Sequence, residues 1–343
     1  MVRLQGEGLV LIAADGNPHV GAGVRAGMDS SVGVSPQDGG VRLLTPRDVR
    51  SLTERYGVRP VKSLGQNFVV DPGTVRRIVR LAHDLPLDDD ACSPSVPRDG
   101  FSLGGRHVVE VGPGLGSLTL GLLAEGWRVT AIEVDRVLAQ ALPGIVAERA
   151  GGRATGLTVI HADALAVGDI PGPGPAPSAL IANLPYNVSV PVILHAMARF
   201  AGLRGALVMV QAEVADRLVA GPGGRAYGVP SAKLAWYATA RRVGGVGRAA
   251  FWPVPRVDSA LVAMVRHDAP PTPASREAVF AVIDAAFSQR RKMLRSALAA
   301  WAGSAERAGA VLAAAGIDAR ARGERLTVAQ FARIAEADAE VGR

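Results

Sequence analysis

The sequence has few of the residues that stabilise secreted, metal-binding or membrane proteins. Its 343 residues include one cysteine, Cys92, so internal disulfides and cysteine-based metal sites are excluded. The six histidines show no ligand spacing, and we expect no metal. No apolar run approaches the length of a membrane span, and the run from Leu9 to Ala14 is too short for a signal peptide. We therefore expect a reducing, cytoplasmic setting and no membrane partner.

Lysine is also scarce, since it occurs only at positions 62, 233 and 292. Arginine therefore supplies most of the positive charge, and the formal net charge is +7. From Arg241 to Ser296 there are ten Arg or Lys residues against four Asp or Glu, so most of the excess lies in the C-terminal part. This distribution predicts a polyanionic partner that docks there.

A glycine-rich turn follows an apolar, β-branched segment, His107 to Val111, which predicts a buried parallel strand. Gly112, Gly114 and Gly116 allow the backbone to turn sharply and to approach a ligand, and a helix is expected from Ser117. The spacing differs from the dinucleotide-binding G-x-G-x-x-G pattern, because the third glycine comes one residue early. The turn also lacks the Gly-Lys-Ser/Thr ending of a P-loop, which disfavours a nucleoside triphosphate.

Acidic residues follow the next two predicted strands. Glu133 ends the strand from Arg128, twenty-one residues after Gly112, a distance at which a carboxylate can accept both ribose hydroxyls. Asp163 follows the strand from Leu157 and could accept from an adenine amino group. Ribose and adenine without a pyrophosphate cradle are what S-adenosylmethionine presents. The alternative is an α/β domain whose strand-end acids only cap helices.

The tetrapeptide Asn183-Leu184-Pro185-Tyr186 follows a fourth apolar strand, Ala179 to Ala182. An exocyclic adenine amine is a poor nucleophile, and hydrogen-bond acceptors on its two N–H groups favour attack without a strong base. The Asn183 side-chain oxygen and the main-chain carbonyl of Leu184 or Pro185 could be these acceptors. Pro185 stiffens the turn, and Tyr186 can stack on the base. The alternative is a proline turn with a partly buried tyrosine.

Seven blocks in this order resemble the bacterial KsgA/RsmA family, the small-subunit ribosomal RNA adenine dimethyltransferases. The resemblance runs from about Val61 to Phe331. Its blocks begin at Lys62 (KSLGQNFVVD), Glu110 (EVGPG), Glu133 (EVD), Asn183 (NLPYN), Gln211 (QAEVADRL, then AYG at Ala226), Phe251 (FWPVPRVDSA) and Phe287 (FSQRRK). Two positions depart from the family pattern: Val69 replaces the usual leucine, and Trp252 replaces a small polar residue.

The resemblance implies a role for each matching residue. The residues implied to bind the methyl donor, S-adenosylmethionine, are Asn67, Val69, Gly112, Gly114, Glu133, Asp163 and Asn183. The residues implied to bind the target adenine are Asn183, Leu184, Pro185, Tyr186 and Phe251. The rings of Tyr186 and Phe251 would stack on either side of a base that is flipped out of its stack. Independently of the resemblance, the run of positive charge predicts that Arg290, Arg291, Lys292 and Arg295 contact RNA phosphates. For Phe251 the alternative is a packed core aromatic, and for the basic run it is a solvated face.

The expected fold is an α/β, class I (Rossmann-like) methyltransferase with a doubly wound sheet and a small helical C-terminal domain. We predict a poorly ordered extension over residues 1–40, a catalytic domain over 41–250 and an RNA-docking domain over 251–343. Helices are expected after Thr45 and Asp71. The tail should be helical with breaks at Gly303 and Gly316, and Gln289 to Arg295 should form a helix with Arg291 and Arg295 on one face.

The implied reaction is dimethylation of N6 on two adjacent adenines near the 3′ end of small-subunit rRNA. The implied partner is the immature small ribosomal subunit, and the enzyme is expected to bind it as a monomer. Three alternatives stay open: the related large-subunit methyltransferase of macrolide resistance, a DNA adenine methyltransferase, and an assembly factor that acts by binding. Leu184, the block at Phe287 and the helical tail favour the small-subunit enzyme over the first alternative, and Leu184 argues against the second. An intact donor site argues against pure binding.

Overall fold

The computed structural model describes residues 10–12, 40–59, 66–85, 106–170 and 176–341. These residues divide into two compact units. The first unit takes its residues from Met1–Arg80, Asp90–Asn183 and Ala249–Val254, and the second from Leu81–Asp89, Leu184–Arg248 and Pro255–Arg343. The domain boundaries predicted at residues 40 and 250 stay predictions.

The first unit is built on a mixed sheet. Its strands are β1 (Val10–Ile12), β3 (His107–Val111), β4 (Arg128–Glu133), β5 (Leu157–His161) and β6 (Ala179–Asn183), with a separate pair of β2 (Phe68–Val69) and β9 (Phe251–Trp252). Its helices are α1 (Pro46–Arg55), α2 (Pro72–His83, whose last three residues fall in the second unit), α3 (Ser117–Ala124) and α4 (Arg136–Ala150). The order is β1-β5-β4-β3-β6, in which β1 is antiparallel to β5 and the other pairings are parallel.

The predicted strands and helices of this unit are confirmed. The β3 to β6 strands are apolar and almost wholly buried, as parallel strands covered on both faces must be. α1 begins as predicted, because Thr45 and Asp48 form a reciprocal capping box ahead of Pro46. Since β3, β4, β5 and β6 run in parallel, their carboxyl ends lie at one edge of the sheet, where ligands of such folds bind.

The second unit combines an antiparallel sheet with helices. Its strands are β7 (Gly205–Gln211), β8 (Ala238–Val246) and β10 (Ser259–Arg266), in the order β7-β10-β8. Its helices are α5 (Ser189–Arg199), α6 (Ala212–Val219), α7 (Val229–Leu234), α8 (Arg276–Ser288), α9 (Leu294–Ala297), α10 (Ala299–Ala302), α11 (Ala305–Ala314) and α12 (Val328–Val341). The predicted breaks are confirmed, since Gly303 and Gly316 adopt positive φ after α10 and α11.

The predicted helix from Gln289 to Arg295 is wrong. α8 ends at Ser288, a turn follows, and α9 begins at Leu294. The reason is tertiary: the main-chain N–H of Leu294 donates to Ala321 O at 2.8 Å and that of Arg295 to Ala319 O at 3.2 Å. These donors would bond to the preceding turn in a continuous helix. The prediction that Arg291 and Arg295 share a helical face is therefore also wrong, and Leu294 and Leu298 are buried.

Some predictions concern residues outside the described part of the chain. Apart from β1, this holds for the predicted extension up to residue 39. It also holds for Lys62 to Gly65 of the first family block and for the region around Cys92. Among the described residues, no helix is long and apolar enough to cross a membrane. No group of three or more His, Cys, Asp or Glu side chains in the described ranges could hold a metal ion.

Candidate active site

The glycine turn after β3 has the geometry that the sequence predicted. Gly112, Gly114 and Gly116 all have positive φ, at 69°, 58° and 89°, which other residues rarely adopt. A Cβ at Gly114 would lie 2.9 Å from two ring atoms of Phe68, and one at Gly116 would lie 2.7 Å from Leu142. Glycine is therefore required here both by backbone conformation and by close packing.

Glu133, at the carboxyl end of β4, is tied to this turn. One carboxylate oxygen accepts from the Gly114 N–H at 3.0 Å, and the other from the Asp135 N–H at 3.0 Å. Burial raises the pKa of Glu133, while these main-chain hydrogen bonds oppose that shift. Each oxygen retains lone-pair capacity, so the carboxylate can still accept from ligand hydroxyls.

A second buried acid, Glu110, lies within β3 itself. Its carboxyl accepts from the Thr119 hydroxyl at 2.7 Å, and both side chains are fully buried. Burial raises the pKa of Glu110 to about 8, and the neighbouring Glu133 contributes in the same direction. Glu110 is therefore mostly protonated at neutral pH. The combined negative charge of Glu110 and Glu133 beside the glycine turn is thus smaller than two ionised carboxylates would give.

Asp163 follows β5, next to the end of β4, because Glu133 is in register with His161. One Asp163 oxygen accepts from the Leu165 N–H at 2.9 Å, which fixes the turn. Two apolar side chains near these acids are unusually exposed: Val134 at 53% and Leu165 at 38%. Exposed apolar side chains beside hydrogen-bond acceptors suit a flat, partly polar ligand such as a purine ring.

The short β2 strand lies against the glycine turn. Its Val69 carbonyl accepts from the Ser117 hydroxyl at 2.6 Å, at the start of α3. β2 pairs with β9, and the Phe68 ring stacks on Trp252 with centroids 6.4 Å apart. Trp252, the departure from the family pattern, therefore helps to hold the strand that covers the turn.

Asn183 ends β6, which pairs in parallel with β3, so its side chain lies at the same sheet edge as the glycine turn. Its amide Nδ2 donates to the Asn67 main-chain oxygen at 3.0 Å. Its Oδ1 accepts no hydrogen bond from the described residues. The half-buried amide is thus bound at its donor end and available at its acceptor end.

Pro185 and Tyr186 belong to the second unit, and their turn is ordered by main-chain and hydroxyl contacts. The Pro185 carbonyl accepts from the Val188 N–H at 3.3 Å. The Tyr186 hydroxyl lies 2.6 Å from that of Ser259, and burial raises the pKa of Tyr186. The hydroxyl is therefore held neutral and bonded, which leaves the ring as the part of Tyr186 that can meet a ligand.

Phe251 lies opposite Val69 in the β2–β9 pair and is only 2% exposed. A ring this buried is packed as a core residue in the present conformation. Its predicted stacking on a flipped base stays a prediction.

Comparisons with known proteins give the family of the chain. A family model described as "Ribosomal RNA adenine dimethylase" matches residues 59–340. The chain belongs to this family. It is 60% identical over 295 residues to the ribosomal RNA small subunit methyltransferase A of Thermobifida fusca (strain YX), covering 86% of this chain and 96% of that one. It is 58% identical over 295 residues to the Streptomyces coelicolor protein of the same description, with the same coverage.

Two solved structures share its fold. A dimethyladenosine transferase from Plasmodium falciparum superposes with a TM-score of 0.59 at 20% identity, covering 79% of this chain and 97% of that one. The 23S rRNA methyltransferase ErmE gives a TM-score of 0.53 at 24% identity, with coverage of 79% and 98%. These likenesses confirm the predicted class I methyltransferase fold.

The basic residues predicted to contact RNA separate into two pairs. Arg290 donates to Arg225 O at 2.6 Å and pairs with Glu324 at 3.1 Å, so its charge is used within the protein. Arg295 donates to Ala305 O at 3.2 Å. Arg291 and Lys292 are exposed, and their side chains make no hydrogen bond or ion pair to the described residues, although the main-chain N–H of Lys292 donates to Gln289 O at 2.8 Å. They are the members of the family block whose charges are free to meet phosphate.

Four residues that shape the site had no predicted role. The Ser117 and Ser259 hydroxyls bond to the Val69 carbonyl and the Tyr186 hydroxyl, the Phe68 ring packs on Gly114, and the main-chain N–H of Asp135 donates to Glu133. Each of the four lies in a family block or within three residues of one, which was the available signal. The partners of Ser117, Ser259 and Phe68 lie far away in the sequence, so those three contacts could not be predicted.

Proposed function

We propose that this chain is an S-adenosylmethionine-dependent enzyme that dimethylates N6 of two adjacent adenines near the 3′ end of small-subunit rRNA. One observation carries the proposal: Asn183 presents a free amide oxygen at the same sheet edge as the glycine turn and Glu133. The hydrogen-bond acceptor for the target amine, Asn183, therefore lies at the same edge as the residues that would bind the adenosine part of the methyl donor, as methyl transfer between the two requires. Membership of the ribosomal RNA adenine dimethylase family supports RNA as the substrate.

The first unit fits the donor by its own geometry. The three left-handed glycines open the turn, Glu133 would hold the ribose, and Asp163 would bind the adenine ring that Val134 and Leu165 flank. Asn67 and Val69 would close over the methionine end. When bound, S-adenosylmethionine supplies an activated methyl group.

The acceptor amine is polarised by two neutral oxygens. Asn183 Oδ1 is one, and we assign the second to the Leu184 carbonyl, because the Pro185 carbonyl already accepts from Val188 N. Together they draw the two amine hydrogens to one side and turn the nitrogen lone pair toward the methyl group. Stacking on Tyr186 would hold the flipped base, so rate enhancement comes mainly from positioning.

RNA docking is assigned to the second unit. Arg291 and Lys292 lie in the turn before α9, whose first N–H groups bond to the loop that carries Arg320 and Arg322. All four side chains are exposed or partly exposed. Such contacts would position the enzyme on a folded RNA, while the flipped base supplies specificity.

We also infer that the substrate is an immature small ribosomal subunit, that the enzyme acts as a monomer, and that the reaction takes place in the cytoplasm. Light scattering of the free protein tests the monomer: a dimer mass at working concentration would contradict it.

The function is tested by methyl transfer from labelled S-adenosylmethionine to immature small subunits and, separately, to large-subunit RNA. After digestion, we expect N6-dimethyladenosine from the small subunit alone. Label in the large-subunit RNA would instead support an activity like that of ErmE, and tight subunit binding without label would support an assembly role. In Asn183→Ala, donor binding should persist and most turnover should be lost. Turnover equal to that of the wild type would contradict the role of Asn183.

A further inference from the structure

We propose that the main-chain carbonyl of Asn67 is a positioning group for catalysis: it fixes the orientation of the Asn183 amide so that Oδ1, and never Nδ2, meets the target amine. The inference deepens the proposed function and rests on it. It assigns to Asn67 a task separate from donor binding, carried out by its backbone rather than by its side chain.

The chemistry of the contact allows one orientation only. A carbonyl oxygen can accept but cannot donate, so the side-chain atom 3.0 Å away must be Nδ2. A flipped amide would place two oxygens at that distance and would point two N–H donors at an amine that itself needs acceptors. The carbonyl thus excludes the unproductive rotamer before any substrate arrives.

The carbonyl can act in this way because β2 is held on three sides. Val70 N donates to Ala250 O at 2.9 Å, beside the ladder with β9. Ser117 Oγ donates to the Val69 carbonyl at 2.6 Å. The Phe68 ring packs against Gly114. The same strand therefore contacts the glycine turn and Asn183, so the donor cradle and the amine acceptor are fixed relative to each other.

Asn183→Asp tests the proposal because it changes only the group that faces Asn67. In its ionised form the new carboxylate would set an oxygen against the carbonyl, whereas the protonated form could donate to the carbonyl and still accept from the amine. Partial burial and the facing carbonyl raise the pKa of such a carboxyl group. The protonated form gains population as the pH falls, so turnover relative to wild type should rise about tenfold from pH 8.5 to pH 6.

Asn183→Ala is the matched control and should show no such rise, because it has nothing to protonate. Donor binding to both variants, measured by calorimetry, ensures that a folded donor site is being compared. The proposal is overturned if Asn183→Asp follows the wild-type pH profile, or if it is as inactive as Asn183→Ala at every pH.

A second measurement does not depend on methylation. In protein labelled with ¹⁵N-asparagine, the Asn183 side-chain amide is the signal missing from Asn183→Asp. We expect one of its two protons to lie downfield and to exchange slowly. Asn67→Ala should keep this signature, because the carbonyl is retained. Loss of the signature in Asn67→Ala, or fast exchange of both protons in the wild type, would overturn the proposal even if the wild type methylates rRNA as proposed.

Discussion

Replacing Gly114 with alanine should separate two costs that the glycine turn avoids. Gly114 has φ of 58°, and its substituent would meet Cδ1 and Cε1 of Phe68 at 2.9 Å. Gly57, in the turn after α1, has φ of 63°, but a methyl group added there would have nothing within 4 Å. Gly57→Ala therefore carries the backbone cost alone, and Gly114→Ala carries the same cost plus a collision.

The magnitudes follow from these contacts. A left-handed alanine costs about 1 kcal/mol, so Gly57→Ala should lower the melting temperature by roughly 2–4 °C. Overpacking adds about 1–3 kcal/mol to this backbone cost, so Gly114→Ala should lower the melting temperature by roughly 4–16 °C. The collision moves Phe68 or the turn, and the Gly114 N–H no longer aligns with Glu133. We therefore expect the affinity for the methyl donor to be about tenfold weaker in Gly114→Ala and unchanged in Gly57→Ala. Tenfold corresponds to about 1.4 kcal/mol, close to the contribution of one charge-assisted hydrogen bond such as that between Gly114 N–H and Glu133.

Thermal melts and calorimetric titration with S-adenosylhomocysteine measure both effects on the purified chain. Equal melting temperatures for the two variants, together with equal affinity for the ligand, would refute the reasoning. That result would mean that Phe68 does not press on the turn and that β2 is free to move away from it.

Three further predictions concern the base pocket, the RNA surface and the buried acid. Tyr186→Phe should lower kcat/KM only a few-fold, because the ring stays, whereas Tyr186→Ala should lower it by roughly 5- to 150-fold through lost stacking; equal losses would mean that the hydroxyl, not the ring, matters. Arg291→Ala with Lys292→Ala should reduce the salt slope of RNA binding by about 1.5, while Arg290→Ala should mainly lower stability, since its charge is paired within the protein; an unchanged slope in the double variant would contradict the docking role. The pKa of Glu110 is about 8 in the folded state and 4.5, its ordinary value, in the unfolded state. Between these two pH values the folded state keeps a proton that the unfolded state has released, so a rise in pH through this range lowers the free energy of unfolding. Melting temperatures from pH 5 to pH 8.5 should therefore fall more steeply in the wild type than in Glu110→Gln, and parallel curves would contradict the assignment.

The first unit was largely predictable because its signals are local. Buried parallel strands are continuous apolar runs, and each ends at a residue whose chemistry is visible in the sequence: Gly112, Glu133, Asp163 and Asn183. The parallel arrangement of β3, β4, β5 and β6 then brings those ends to one edge without any further information. Family blocks added the identity of the reaction, which the composition and charge alone could not supply.

The turn before α9 was not predictable in the same way. The sequence around Arg291 has no proline or glycine, and its charge and apolar spacing suit a helix. The helix is broken by carbonyls of Ala319 and Ala321, which capture the N–H groups of Arg295 and Leu294. Hydrogen bonds to such distant carbonyls cannot be read from the local sequence. For the same reason the sequence did not show that Arg290 and Arg295 bond within the protein while the side chains of Arg291 and Lys292 do not.

Main-chain contacts also explain how β2 tolerates change. Asn67 O, Val69 O and Val70 N make its hydrogen bonds, so those contacts do not depend on the side chain at position 69. Valine there replaces the family's usual leucine and needs only to be buried and apolar, as it is. Phe68 differs, because its ring packs on both Gly114 and Trp252. We therefore expect a smaller side chain at position 68 to alter the packing of β2 on the glycine turn, and with it the orientation that we propose for the Asn183 amide.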